Sequence, residues 1–229
     1  MKALHYDGFG GLDQLSVGEL PDPHIGPDTL LVKVVAAGIN PVDYKVREGY
    51  LEGLIDTVFP VVPGWDVAGV VVSPGLDTPE FAAGDEVLAY ARADVVHGGT
   101  LAELVAVPVR AAAHKPASVS FEDAAALPLA GLTALQSVRR SGLKAGDAVL
   151  VHAAAGGVGS FATQLAVLAG ARVVGTPARR TTTIFEASAP SRCLTARVWW
   201  RPRRRSFPTG STWSLTTSVA QRWTPPASW

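Results

Sequence analysis

The sequence predicts an α/β chain in two parts, a small, partly open β-barrel followed by an incomplete parallel-sheet unit. Three observations carry this. Residues 1–115 are a succession of short apolar runs divided by Gly/Pro turns. From Ser120 the apolar period lengthens from that of a strand to that of a helix. Between Ala145 and Gly175 a strand, a glycine-rich turn, a helix and a second strand follow one another.

In the first part the runs are "LLVKVVAAGI" (30–39), "VAGVVV" (67–72), "EVLAYA" (86–91) and "LAELVAVPV" (101–109). The breaks between them include "PDPHIGPD" (21–28), "SPGLDTPEFAAGD" (73–85) and "HGG" (97–99). Dense short strands with such turns read as a barrel. Ser120, with Asp123 three residues on, is a helix N-cap, and "AAALPLAGLTALQSVRRSG" is expected to run helical to Gly142. "AGDAVLVHAA" (145–154) then reads as a buried strand, "GGVGSFATQLAVLAGA" (156–171) as a helix and "RVVG" (172–175) as a strand. Strand–helix–strand over this length is a βαβ unit, so its strands are parallel and its helix covers one sheet face. The domains are accordingly expected at 1–115 and 116–176, with 177–229 apart.

Composition narrows the class. The 229 residues are 48% hydrophobic and 17% charged with no net charge, a globular chain without a global signal for nucleic acid. The average hides a split: residues 176–229 hold nine Arg, no Lys, one acid (Glu186), five of the six Trp and the only Cys, Cys193. One cysteine excludes an internal disulfide and any multi-cysteine metal site. No signal peptide opens the sequence and no uncharged apolar run reaches the ~18 residues of a membrane helix. A cytoplasmic protein off the membrane is expected.

Gly156-Gly157-Val158-Gly159 sits where strand becomes helix. A dinucleotide pyrophosphate needs close backbone approach, free N–H groups and a helix N-terminus, which glycines at this junction allow. Gly156 and Gly159 match the last two glycines of G-x-G-x-x-G, and Ala154 stands at the first. The alternative is a turn that serves packing alone. The second strand ends without the acid that binds ribose in NAD-type sites, and Arg179 and Arg180 lie past the end of the apolar pattern.

"AAGINPVDYKVREG" (36–49), "VPGWDVAGVV" (62–71), "GDEVLAY" (84–90), "GTLAELVAVP" (99–108), "AAALPLAGLTA" (124–134) and "VLVHAAAGGVG" (149–159) together resemble the zinc-independent quinone oxidoreductase branch of the medium-chain dehydrogenase/reductases. The resemblance covers residues 1–176. It implies a GroES-like barrel, a Rossmann domain of which only the first part is legible, and an active cleft between them. It also implies hydride transfer from NADPH to a quinone or an α,β-unsaturated carbonyl. Zinc-dependent relatives carry a Cys where this chain has Asn40 and Gly-His-Glu where it has Gly64-Trp65-Asp66, so no zinc is expected. By the same resemblance Asn40 and Tyr44 are the expected catalytic residues, polarising the acceptor oxygen or supplying a proton. Pro41, Val42, Asp43, Tyr44, Lys45, Thr133, Ala155, Gly156, Gly157, Val158 and Gly159 are the expected cofactor contacts. Competing readings are ordinary: Asn40-Pro41 also starts turns, Asp43 also caps helices, and Thr133 also bonds its own backbone. His97 and His152 read as structural, and Lys144 with Arg139-Arg140 as a solvated helix end. Related enzymes are often homodimers through the Rossmann edge, a surface this chain is expected to lack.

After Thr176 the pattern dissolves. A binding segment, a disordered extension and out-of-frame translation compete to explain it. Reading "RTTTIFEASAP" one base back permits Asn-His-Asp-Tyr-Leu-Arg-Ser-Leu-Gly-Ala, and "STWSLTTSVA" permits Asp-Val-Val-Leu-Asp-Asp-Leu-Gly-Gly. Both resemble the family's continuation, in one frame and at sensible spacing. The tail is therefore read as out of frame, leaving a two-strand sheet with open edges, poor folding beyond about residue 120 and an inactive or weakly active chain. Two rival functions are enoyl reduction and a non-enzymatic protein whose Trp199–Arg205 stretch meets an anionic partner.

Overall fold

The computed structural model describes residues 1–176 and, beyond them, the backbone of residues 185–187, 212–215 and 220–223. The chain forms two compact units, Met1–Leu129 and Ala130–Trp229.

In the first unit β1 (Lys2–His5) and β2 (Ser16–Glu19) form an antiparallel pair. There follow β3 (Thr29–Gly38), α1 (Pro41–Arg47), β4 (Asp66–Pro74), β5 (Glu86–Tyr90), β6 (Leu104–Pro108), β7 (Ala112–His114) and α2 (Phe121–Ala125). The main sheet is antiparallel throughout, in the order β6-β3-β4-β5-β7. Alternation sends Leu30, Val32, Val67, Val71, Val87, Val105 and Val107 to one core. The β3–β4 register shifts at Leu31/Val32 and Val34/Ala36; such bulges increase local twist and bend the sheet. A second cluster of Tyr6, Val46, Val61 and Val96 seats α1, with Val42 and Trp65 packed against it.

The sequence grouped residues 116–129 with the second part; here α2 packs on the barrel sheet through Ala68, Ala124 and Ala125. Ser120 Oγ accepts from the Asp123 amide at 3.1 Å, the cap expected of it. The single helical run expected to Gly142 is instead two helices, α2 and α3 (Pro128–Ser141). Pro128 is the reason: it has no N–H to continue a helix, disfavours helical geometry at Leu127, and is well suited to start the next helix.

The second unit continues α3 and adds β8 (Ala148–Val151), α4 (Gly157–Leu168), β9 (Arg172–Gly175), β10 (Phe185–Ala187), β11 (Thr212–Leu215) and β12 (Ala220–Trp223). β8 and β9 are parallel with α4 between them, the βαβ unit read from the sequence. Its core holds Val149, Val151 and Val173 from the strands, Ala162, Ala166 and Val167 from α4, and Ala134 and Val138 from α3.

The expected two-strand sheet with open edges is corrected. The sheet has five strands in the order β10-β9-β8-β11-β12, with β11 parallel to β8 and β10 antiparallel to β9. Ladder hydrogen bonds use backbone groups that every non-proline residue carries, so strands can be recruited from a segment with no apolar period. The rest of 177–229 lies outside the described residues, including Arg179, Arg180, Cys193 and the Trp199–Arg205 stretch. No helix among the described residues is long and apolar enough to cross a membrane.

Candidate functional site

Two loci carry the expected site residues, one in each unit. In the first, β3 ends at Gly38 and the chain turns at Asn40 into α1. Asn40 is extended (φ −125°, ψ 156°) and Pro41 follows at the first helical position. Asp43 reaches back one turn, its Oδ2 accepting from the Asn40 amide at 2.6 Å. The capping role weighed for Asp43 is therefore what its carboxylate does. Asn40 Nδ2 donates to Asp66 Oδ2 at 2.9 Å, and Asp66 Oδ1 accepts from the Leu129 amide at 2.9 Å in the first turn of α3.

Asp66 is only 1% exposed, and burial pushes its carboxyl up to about 6. The bonds from Asn40 and Leu129 oppose that shift, and the nearby Asp43 charge adds to it. Burial likewise raises Asp43, with the Asn40 amide opposing. Asp43 Oδ1 and the Tyr6 hydroxyl are buried without a hydrogen-bond partner among the described residues. Gly38 makes room for the cluster, since a Cβ there would lie 2.5 Å from Ala125 O and 2.9 Å from Asp66 Cβ.

Of the neighbouring residues, Pro41, Tyr44 and Lys45 are exposed. Val42 is half-buried in the cluster below α1, so its side chain packs inward. The structure thus brings Asn40 and Asp43 together and leaves Tyr44 at the surface, 45% exposed.

The second locus is the β8–α4 turn. Ala153 adopts a left-handed conformation (φ 51°), costly for a residue with a Cβ. The Gly156 amide donates to Ala153 O at 2.8 Å, closing the turn. Thr176 at the end of β9 holds it from the side: its Oγ1 accepts from the Ala153 amide at 3.3 Å, and its carbonyl from the Ala154 amide at 2.9 Å. His152 Nδ1 lies 3.3 Å from the same hydroxyl, and His97 Nδ1 lies 2.9 Å from Val58 O. Both contacts are ones a structural histidine makes.

α4 starts at Gly157 with Gly156 as N-cap, and no side chain caps it. Its first amides lack intrahelical acceptors by geometry and carry the positive end of the helix dipole. Ala155 and Gly157 are exposed, Val158 packs on the core and Gly159 is buried. A Cβ on Gly159 would collide with Ala153 O and lie 2.8 Å from Ala153 C and Ala154 Cα. This cradle of small residues under bare amides fits a pyrophosphate. Thr133 is half-buried on α3, where its carbonyl accepts from Ser137 Oγ at 2.7 Å. Arg139 and Arg140 are exposed in the last turn of the same helix.

Three residues of these loci were missed as site residues by sequence reasoning. Asp66 had a signal, an acid inside the apolar run "GWDVAGVVV". Ala153 and Thr176 had none, because one is defined by a backbone angle and the other by a contact across the β8–β9 ladder.

Comparison with known proteins agrees with this architecture. Residues 26–117 match the alcohol dehydrogenase GroES-like domain. The chain is 44% identical over 171 residues to an NADPH-dependent alkenal/one oxidoreductase of Arabidopsis thaliana, covering 72% of this chain and 44% of that one. It is 43% identical over 171 residues to a 2-methylene-furan-3-one reductase of Solanum lycopersicum, with the same two coverages. Among solved structures, a quinone oxidoreductase from Coxiella burnetii superposes with a TM-score of 0.71 at 38% identity, over 79% of this chain and 57% of that one. The chain spans about half the length of the curated relatives it matches.

Proposed function

We propose that this chain, which is similar to quinone oxidoreductases and to an NADPH-dependent alkenal/one oxidoreductase, is the recognisable part of an NADPH-dependent reductase of quinones or α,β-unsaturated carbonyls. The observation that carries the reading is the cradle at Gly156–Gly159, which has no room for a Cβ at Gly159 and leaves the α4 amides uncapped. Gly157, Val158 and Gly159 would hold the pyrophosphate through those amides. NADPH, when bound, supplies the hydride.

The chain's own residues have three tasks. The β8–α4 turn, closed by Ala153 and braced by Thr176, keeps the cradle rigid. Asn40 presents an amide N–H to the acceptor oxygen, which gains charge as the hydride arrives. Tyr44, exposed on α1, would return a proton to the reduced product. The reading runs without zinc: at the positions of the relatives' ligands stand an amide and a carboxylate already bonded to each other, and a tryptophan.

Titrating the full chain with NADPH and NADH by tryptophan-fluorescence quenching tests the cofactor assignment. Following NADPH oxidation with a quinone, an enone and an enoyl thioester tests the acceptor class. Turnover confined to the thioester would replace the quinone/enone reading with enoyl reduction, and absence of NADPH binding would refute the function of this chain altogether.

A further inference from the structure

We propose that Asp66 is the positioning residue for Asn40, selecting which end of the Asn40 carboxamide is offered to the acceptor oxygen. The proposal rests on the reductase reading and adds to it a residue outside the two expected catalytic ones. An ionised carboxylate only accepts hydrogen bonds, so the Asn40–Asp66 contact at 2.9 Å must be made by Nδ2. One N–H of that group is then spent on Asp66, and the second is left as donor. Without Asp66 the two ends of the amide are nearly equal in shape. A flip would turn the Oδ1 lone pairs toward the acceptor oxygen, which repels the charge that reduction develops there.

Asp66 is built to hold this choice. Its other oxygen is tied to the Leu129 amide. It opens β4 between Gly38 on β3 and Tyr90 on β5, and the space at Gly38 leaves no room for a Cβ. Among the described residues, the charged and titratable groups around it are Asp43 from α1, whose charge raises the Asp66 carboxyl, and Tyr90 from β5, which itself interacts with Arg92. The side facing β3 contributes glycine, and the start of α3 contributes only a backbone amide. Burial places the Asp66 proton near neutrality. A protonated Asp66 can donate to Oδ1 and reverse the amide.

Asn40 is the only asparagine in the chain, so side-chain 15N-labelled asparagine yields a single NH2 pair in a proton–nitrogen spectrum of the full chain. The expected result is a pair whose shifts titrate between acid and neutral pH in the wild type and lose that titration in Asp66→Ser and Asp66→Ala. An NH2 pair with the same shifts and the same titration in both variants overturns the proposal. If Asp66→Ala does not fold, Asp66→Ser alone decides, since it keeps a small polar side chain without a titrating group or a second amide. The kinetic counterpart is a kcat for enone reduction lowered on the order of 10²-fold with the KM for NADPH unchanged, partly rescued by Asp66→Glu. A chain that binds no NADPH refutes the reductase reading while the NMR outcome still decides whether Asp66 orients Asn40.

Discussion

Replacing Gly159 by alanine tests the cradle most directly. The added carbon would overlap Ala153 O and sit 2.8 Å from Ala153 C and Ala154 Cα, all three backbone atoms. Carbon pairs are comfortable at roughly 3.5–4.0 Å, so the first turn of α4 must retreat from the β8 turn by the better part of an ångström. Overpacking of this kind costs about 1–3 kcal/mol, and the upper end applies because backbone cannot rotate away. A helical Gly→Ala change returns up to ~1 kcal/mol of propensity, leaving a net loss of about 2 kcal/mol. Gly157→Ala is the internal control, because its nearest neighbour would be Ala130 Cβ at 3.8 Å, an ordinary contact. It is expected to leave stability unchanged or slightly raised while placing a methyl beside the bare amides. Urea unfolding followed by far-UV circular dichroism measures stability, and fluorescence quenching measures NADPH affinity. Gly159→Ala should lose both, and Gly157→Ala only affinity. Wild-type stability in Gly159→Ala would refute the reasoning, since the collision would then not exist.

Asp66 makes stability fall with rising pH. Its folded carboxyl titrates near 6 against an unperturbed 3.8, so between those values the native state binds more protons than the unfolded one. The cost is absent below pH ~4 and complete above pH ~6, amounting to about 3 kcal/mol. Asp66→Asn should flatten that decline in urea unfolding across the same window; parallel curves for the two proteins would contradict it. Ser120→Ala removes the bond to the Asp123 amide and should cost about 1 kcal/mol, measurable as a lowered urea midpoint. Lys115, its side chain 4% exposed, bonds Glu86 at 2.9 Å and Val119 O at 2.7 Å and lies 4.8 Å from the Phe121 ring centroid. Lys115→Met leaves the Val119 carbonyl unpaired and should cost about 1–3 kcal/mol, seen as a lowered thermal midpoint.

Much of the fold was legible because it is written in short-range chemistry. Apolar runs within Thr29–Gly38 and Asp66–Pro74, set between Gly/Pro turns, mark strands. Ser120 announces a cap, and glycines between an apolar strand and an apolar helix announce a phosphate-type turn. The helix break was equally local and was misread: Pro128 in "AAALPLAG" carries the stop and the restart that divide α2 from α3. The sheet edges were a different matter. Nothing periodic marks 185–187 or 212–215, and strands form there because ladder bonds are made by backbone, whose partners are chosen by what lies alongside.

The sequence by itself determined the class of each element, the place of the glycine turn and the residue types available at Asn40 and Asp43, since these depend on neighbours within a few positions. Only the tertiary structure decided that Asp66 meets Asn40 across 26 residues and Leu129 across 63. It also decided that Ala153 takes a left-handed angle under the hold of Thr176, and that a Cβ has no room at Gly159 and ordinary room at Gly157. Those are properties of packing, in which the distance between atoms far apart in the chain sets the energy.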